Sequence, residues 1–143
     1  ETILGAAAQL HEIGLHIEYK RHHEHGEYIL SHIDLPGFTR LQRAAIRDLV
    51  AQHRLAINNA TFDKYHQDYR PMLQGLLRVL RIAVVLCLRR QNKHIPEVSL
   101  ACDGSNWVLS FPEGWLKAHP LINAELANEC WLQHKAGCEL ICQ

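Results

Sequence analysis

Apolar residues in the first part of the chain recur at the spacing of an α-helix. Leu4, Ala8, His11 and Leu15 are three or four residues apart, so a first helix is expected to run to about Gly14, whose missing side chain suits a helix end. Further helices are predicted over residues 22–32, 39–54 with Thr39 as the N-cap, and 70–90. This pattern predicts a helical domain that extends to residue 94.

The pattern changes after residue 96. The segments "EVSLAC" and "NWVLSF" alternate apolar and polar positions on either side of "DGSN", which predicts a β-hairpin. A helical segment broken near Pro120 and a last strand at "CELIC" follow. The predicted fold class is mainly α: a helical domain over residues 1–94, then a small α+β domain over residues 95–143 with a two- or three-stranded antiparallel sheet.

Charge is distributed unevenly between these two parts. The chain has 143 residues, of which 48% are hydrophobic and 21% charged, as expected for a folded protein. Residues 1–94 carry 13 basic and 9 acidic side chains, a net of +4, whereas residues 95–143 carry 2 and 6, a net of −4. Eight of the 11 histidines lie before residue 67. The basic, histidine-rich first part points to an anionic partner.

Cysteine usage and hydropathy indicate the compartment. The chain has five cysteines, an odd number without a Cys-x-x-Cys pair, which favours a reducing compartment over a disulfide framework. No signal peptide is visible, and the apolar run at residues 82–88 is far shorter than the ~20 residues of a membrane span. The sequence predicts a soluble protein with no membrane span.

The stretch "LHEIGLHIEYKRHHEHGEYIL" (10–30) resembles the metal site of HD-type phosphohydrolases. In that superfamily a His-Asp pair and histidines from neighbouring helices hold divalent metals that activate water. Here Glu12 replaces the aspartate, and Val84 stands where a later aspartate is expected. We therefore expect a degenerate site with no metal ligand and no catalytic residue, in which His11 and His53 are core groups hydrogen-bonded by backbone carbonyls.

A closer resemblance covers essentially the whole chain. The motifs "LHEIGL", "YIL…DLPGF" and "FPEGWL" occur in the order of the C-terminal half of the exopolyphosphatase / guanosine-pentaphosphate phosphohydrolase family, and the chain is most similar to an exopolyphosphatase. The resemblance implies a cytoplasmic enzyme that releases terminal phosphate from inorganic polyphosphate, or removes a phosphate from guanosine pentaphosphate. It also implies that catalysis occurs in N-terminal actin-like lobes, which bind phosphate and Mg²⁺.

This chain has no glycine-rich phosphate loop, lacks an initiator Met and enters a helical pattern at once. We therefore expect an N-terminally truncated fragment, inactive alone and with no cofactor of its own. The resemblance implies as partners the N-terminal lobes of the same protein, a second copy in a homodimer, and polyphosphate. We expect no nucleic-acid partner.

Polyphosphate needs positive groups along a path rather than base-reading groups, and its binding gains from counterion release. The candidate polyphosphate-binding residues lie at the start of the second helix and beside His53: Lys20, Arg21, His22, His23, His25 and Arg54. Helix N-termini also favour anions. Arg81, by contrast, has apolar neighbours and is expected to form a structural ion pair, and the three tryptophans are expected in the core of the small domain.

Two alternatives remain open at this stage. One is an active metal-dependent HD phosphohydrolase, and the other is a purely structural interaction module that binds no ligand. The sequence also leaves open whether the parent enzyme prefers polyphosphate or guanosine pentaphosphate.

Overall fold

A computed structural model describes residues 2–87 and 96–143 and confirms a mainly α fold with a small sheet. The helices are α1 (Ile3–Leu10), α2 (His22–His32), α3 (Arg40–Ala51), α4 (Arg70–Cys87), α5 (Trp115–Ala118) and α6 (Pro120–Lys135). The strands are β1 (Ser99–Asp103), β2 (Asn106–Ser110) and β3 (Glu139–Cys142). Single 3-10 turns lie at Ile13–His16 and Asn59–Phe62.

The chain divides into two compact units, Glu1–Leu80 and Arg81–Gln143. Helix α4 contributes residues to both of them. The domain boundary expected between residues 94 and 95 lies outside the described residues. In the described part of the chain, no helix is both long enough and apolar enough to cross a membrane.

Helix α3 forms the centre of the first unit. Thr39 caps it as predicted, in a capping box: the Thr39 hydroxyl accepts from the Gln42 amide, and the Gln42 side chain accepts from the Thr39 amide. Its inner face carries Ile46, Leu49 and Val50, all fully buried, as the helical spacing predicted. Helices α1 and α2 pack against this face. The first unit is therefore built around one amphipathic helix.

The chain after α1 differs from the prediction. Helix α1 ends at Leu10, and Gly14, which is itself buried, lies inside a 3-10 turn rather than at a helix end. A Cβ at Gly14 would lie 1.9 Å from the carbonyl oxygen of His22, so only glycine lets this turn approach the start of α2. Gly26, one turn further along α2, likewise brings that helix against Val50. Both glycines allow segments of the chain to pack closely. The spacing of apolar residues along the sequence does not reveal such contacts.

The sheet of the second unit has the order β1-β2-β3. Strands β1 and β2 form the predicted antiparallel hairpin, with a turn at Gly104 and Ser105. Strand β3 pairs in parallel with β2, so the expectation of a fully antiparallel sheet was wrong and the sheet is mixed. The physical reason is the connection: α6 carries the chain between β2 and β3, and a long helical crossover allows parallel pairing.

The core of the second unit contains a buried ion pair. Arg81 Nε donates to Glu129 Oε2 at 2.9 Å and Arg81 Nη2 donates to Glu129 Oε1 at 3.0 Å, which confirms the expected structural role of Arg81. Trp107 is buried as expected and donates to the Gly104 carbonyl. Trp131 is 55% exposed, so its placement in the core was wrong. It lies on the outer side of α6, where Lys135 covers its ring.

Candidate functional site

Four histidines of the first unit meet in one place, and we call them the histidine cluster: His11, His22, His23 and His53. His11 follows α1, His22 and His23 open α2, and His53 follows α3. The ring centroids of His11 and His22 each lie 5.2 Å from that of His53, and the His23 centroid lies 6.4 Å from it. The cluster thus joins the ends of three helices, with His53 at its centre.

The backbone holds two of these rings in place. Nδ1 of His53 lies 2.5 Å from the Val50 carbonyl oxygen, and Nδ1 of His11 lies 2.6 Å from that of Ala8. His53 is 2% exposed. Both rings are hydrogen-bonded by a carbonyl of their own preceding turn, as predicted from the sequence. His53 is a core group as expected, whereas His11 is partly exposed, so its placement in the core was wrong.

A chain of hydrogen bonds runs through the cluster from Arg54. Arg54 Nη1 lies 3.1 Å from His22 Nδ1, and because a guanidinium has no acceptor, Arg54 donates. The hydrogen of a neutral His22 ring is then on Nε2, which lies 3.3 Å from His53 Nε2 and donates to it. His53 in turn donates from Nδ1 to Val50. This arrangement satisfies these three contacts with both rings neutral, but it leaves His22 Nδ1 without a hydrogen 2.9 Å from the Tyr19 carbonyl oxygen, which is also an acceptor.

The electrostatics agree with neutral rings. Burial lowers the pKa of His53 to about 3, with the neighbouring histidines acting in the same direction. Burial also lowers the pKa of His22 and of His23, and the positive charge of Arg54 adds to this in both cases. Burial thus favours the neutral forms of His22, His23 and His53, and His22 accepts a hydrogen bond from Arg54.

Arg54 is held on a small platform made by Tyr19. Its guanidinium lies 5.4 Å from the centroid of the Tyr19 ring, a cation–π contact, and Nη1 also lies 3.4 Å from the Tyr19 carbonyl oxygen. Arg54 is half-buried and contacts no carboxylate within the described residues. It is a fixed cation whose charge no acidic side chain neutralises there.

The other candidate binding residues surround this platform unequally. Lys20 is exposed and forms no ion pair within residues 2–87 and 96–143. Arg21, in the left-handed conformation at the N-cap of α2, donates from Nε to Glu24 Oε2 at 2.6 Å, and this contact raises the pKa of Arg21. His25 is half-buried, with Nε2 4.0 Å from Glu18 Oε2. The structure thus brings His22, His23 and Arg54 together, leaves Lys20 free beside Tyr19, and pairs Arg21 with an acid.

Two ring nitrogens in this region have no hydrogen-bond partner among the described residues. They are Nδ1 of His23 and Nε2 of His25, and both atoms are buried. Since a buried ring nitrogen without a partner costs free energy, each marks a local weakness of the first turn of α2. The sequence does not reveal this, because it depends on how the two rings are oriented.

The residues present do not make a metal site. Within the described residues no three side chains of histidine, cysteine, aspartate or glutamate are arranged to hold a metal ion. Glu12 occupies the position of the aspartate in the His-Asp pair, and its Oε1 lies 3.8 Å from His11 Nε2. Val84, at the position of the later aspartate, has no atom that can bind a metal. No step of metal chemistry can be assigned to these residues.

One residue of the candidate site was missed by the sequence analysis, namely Tyr19. Its carbonyl oxygen and its ring face lie beside both Arg54 and His22. The sequence could have indicated Tyr19 through its position directly before Lys20 and Arg21, because aromatic rings commonly accompany arginine at anion sites. The histidine pattern drew attention to the imidazoles, whereas the geometry centres on Tyr19 and Arg54.

Comparisons with known proteins agree with the family resemblance found in the sequence, but the relatives given below are named for the guanosine compound and not as exopolyphosphatases, to which the sequence was judged most similar. Residues 1–130 match the family described as Ppx/GppA phosphatase, domain III. Over its whole length the chain is 53% identical to a guanosine-5'-triphosphate,3'-diphosphate pyrophosphatase of Pseudoalteromonas atlantica, covering 28% of that protein. It is 41% identical, over 97% of its length, to a protein of the same name from Pseudoalteromonas translucida. It is 38% identical, over 99% of its length, to one from Photobacterium profundum, and the chain covers 28% of each of these two proteins. The chain therefore belongs to the Ppx/GppA phosphatase family and spans about a quarter of the length of these relatives.

Proposed function

We propose that this chain is a non-catalytic part of a Ppx/GppA phosphatase that binds the oligophosphate portion of the substrate. Inorganic polyphosphate and guanosine-5'-triphosphate,3'-diphosphate share that chemistry, a run of linked phosphates with one or more charges each. The relatives are named for the guanosine compound, which supports it as the substrate of the whole protein. Polyphosphate, expected from the sequence, is the second substrate to test.

The observation that carries this proposal is the position of Arg54. Its guanidinium is held in place by Tyr19 and His22 through Nη1 alone, so its remaining N–H donors are available to a ligand within the described surroundings. A pre-oriented guanidinium without a carboxylate partner is well suited to bind a phosphate group. Ordering Arg54 before the ligand arrives lowers the entropic cost of binding.

Lys20 and the start of α2 extend this site. Lys20 follows Tyr19 directly and is exposed, and α2 begins two residues later at His22. The N-terminus of an α-helix favours anions through its dipole, although the N–H groups of His22 and Glu24 at the start of α2 donate to the Tyr19 and Arg21 carbonyls. Arg21 lies at the same point but is largely neutralised by Glu24. Lys20 and Arg54 therefore supply most of the charge, with neutral His22 and His23 as hydrogen-bonding groups.

Catalysis belongs, in this proposal, to lobes of the parent protein outside these 143 residues. The sequence resemblance implies that those lobes bind phosphate with Mg²⁺. The side chains described here offer no arrangement for the ion, so the chain itself supplies binding rather than bond breaking. The parent is then a hydrolase acting on phosphate chains, and this part holds the substrate.

Exposed apolar side chains on the first unit favour a second candidate function, a structural role in which the chain contacts other protein surfaces. Several large apolar side chains of that unit are exposed to solvent, namely Tyr28, Ile33, Leu41, Tyr69 and Met72. Such residues suit a contact with the catalytic lobes or with a second copy in a homodimer. We propose this as an additional role of the chain, which sedimentation analysis of the chain with and without those lobes would test.

Charge reversal tests the binding proposal. Polyphosphate of defined length and guanosine-5'-triphosphate,3'-diphosphate are titrated separately into the wild-type chain, Lys20→Glu and Arg54→Glu. Because two unneutralised cations carry the site, each substitution is expected to weaken binding at least ~10-fold. Lys117→Glu is the matched control, since Lys117 is an exposed lysine of α5 in the second unit.

The outcomes separate the proposals. Equal losses in all three variants would show diffuse attraction and reject a site at Lys20 and Arg54. Unchanged binding in all three variants, or none by the wild type, would favour the purely structural role. Loss with only one of the two ligands would identify the substrate for which the site is built.

A further inference from the structure

Two cysteines of the second unit lie close together without being bonded. Cys130 is on α6 and Cys142 is near the end of β3, and their sulfur atoms are 3.7 Å apart. Both thiols are partly accessible, and each is free. None of the proposed binding chemistry uses them, since Lys20 and Arg54 belong to the first unit.

The distance is short enough for a bond to form with little rearrangement. A disulfide needs about 2.05 Å between its sulfurs, so the two must approach by ~1.7 Å in total. Side-chain rotation of two partly exposed cysteines can supply much of this movement. Cys130 and Cys142 also come from different elements, a helix and an edge strand that pack on each other, so a bond would join α6 to the sheet.

We propose that Cys130 and Cys142 form a reversible dithiol site that peroxides oxidise to a disulfide. The site is distinct from the oligophosphate site and concerns the covalent state of the second unit. The class of oxidant is hydrogen peroxide or an organic hydroperoxide. Thiol reductants return the pair to its reduced form.

The two sulfurs have different roles in this reaction. The hydrogen bond from Cys142 lowers the pKa of Cys130, while the same hydrogen bond and burial raise the pKa of Cys142. Because the thiolate is the nucleophile, Cys130 reacts first. Its sulfur attacks one peroxide oxygen, the O–O bond breaks, and the departing hydroxide takes a proton to become water. Cys130 is left as a sulfenic acid.

Cys142 completes the reaction. Its sulfur attacks the sulfur of Cys130, the S–O bond breaks, and the hydroxyl leaves as water with the thiol proton of Cys142. Two thiols are thereby oxidised to one disulfide, and one peroxide is reduced to two waters. The new bond closes the loop between α6 and β3, which restricts the unfolded chain and fixes the edge strand.

The test is peptide mapping of the whole chain after exposure to hydrogen peroxide under non-reducing conditions. We expect one intramolecular disulfide that links the peptides of Cys130 and Cys142, and a melting temperature that rises by about 5–10 °C and returns after thiol reduction. In Cys142→Ser, we expect the sulfenic acid of Cys130 to persist and to be trapped by dimedone.

Cys138→Ser is the matched control, because Cys138 lies in the same segment, just before β3. The Cys130–Cys142 link is expected to form in this variant at an unchanged rate. A link made instead by Cys138 or Cys102 in the wild type would overturn the proposal. So would oxidation of the exposed Cys102 while Cys130 and Cys142 stay reduced.

Discussion

The Nε2 atoms of His22 and His53 lie 3.3 Å apart, and this contact links the start of α2 to the end of α3. With both rings neutral, His22 donates and His53 accepts, and Arg54 donates to the opposite side of His22. Protonation of His22 would place a hydrogen on Nδ1 and turn that atom from Arg54 towards the Tyr19 carbonyl, 2.9 Å away. The hydrogen bond from Arg54 therefore requires that His22 Nδ1 carries no hydrogen.

The first prediction concerns stability at mildly acidic pH. Burial lowers the pKa of His53 to about 3, against an ordinary value of about 6.5, so the unfolded chain binds more protons between these values. His53 contributes its full stabilisation above pH ~6.5 and loses it as pH falls towards ~3. From pH ~7.5 to ~5.5, we expect the free energy of unfolding in urea to fall by about 1–1.5 kcal/mol through His53 alone.

His53→Asn identifies the source of that change. Its amide nitrogen can replace Nδ1 as the donor to Val50, but it does not titrate. We expect the variant to lose most of the pH-dependent fall, whereas His16→Gln, at an exposed histidine, retains it. The same pH slope in His53→Asn as in the wild type would contradict the assignment.

The second prediction concerns two glycines, Gly14 in the 3-10 turn and Gly26 in α2. A Cβ at Gly14 would lie 1.9 Å from a backbone oxygen, whereas one at Gly26 would lie 2.8 Å from Cγ1 of Val50, a side-chain atom. We expect Gly14→Ala to destabilise the chain by about 3 kcal/mol or more, and Gly26→Ala by about 1–2 kcal/mol. Thermal unfolding of both variants checks this order, and equal losses would contradict it.

The third prediction concerns the buried pair of the second unit. Glu129→Ala leaves the guanidinium of Arg81 buried without its carboxylate, so we expect a loss of about 3–5 kcal/mol. Asp34→Ala breaks the exposed pair with Arg43 and should cost no more than about 1 kcal/mol. Urea unfolding measures both, and a small effect of Glu129→Ala would show that the pair is not structural.

The fourth prediction uses the acid beside the proposed binding site. Glu24 is bonded to Arg21, which lowers the pKa of Glu24, so it stays ionised and neutralises Arg21. Glu24→Gln removes that charge and should tighten polyphosphate binding about 3- to 10-fold, more at low salt than at high salt. Glu125→Gln, at an exposed acid of α6, is the control. Equal gains in the two variants would show an effect of net charge alone.

Local signals allowed much of the fold to be predicted from the sequence. The Thr39 cap, the bounds of α2 and the break before Pro120 follow from residue chemistry within a few positions, and all three are confirmed. The direction of β3 was missed, because strand orientation depends on the path of the whole connection rather than on the strand. The end of α1 was missed because Gly14 serves a contact with a residue further along the chain.

The residues of the candidate site could be named from the sequence, but their contacts could not. The cluster of basic residues and histidines indicated the start of α2 as the region of interest. The lowered pKa of His22 and the pairing of Arg21 with Glu24 depend on burial and orientation, which exist only in the folded chain. The role of Tyr19 rests partly on its backbone carbonyl, which every residue has, so no pattern of side chains could predict it.

The most direct test of oligophosphate binding is a calorimetric titration into the metal-stripped chain at about 50 mM and about 200 mM salt. Polyphosphate and guanosine-5'-triphosphate,3'-diphosphate are titrated in separate runs. We predict saturable binding of at least one of them, weakened several-fold at the higher salt, as expected for a site carried by Lys20 and Arg54. Absence of binding of both ligands at low salt would contradict it and leave the chain with a structural role alone.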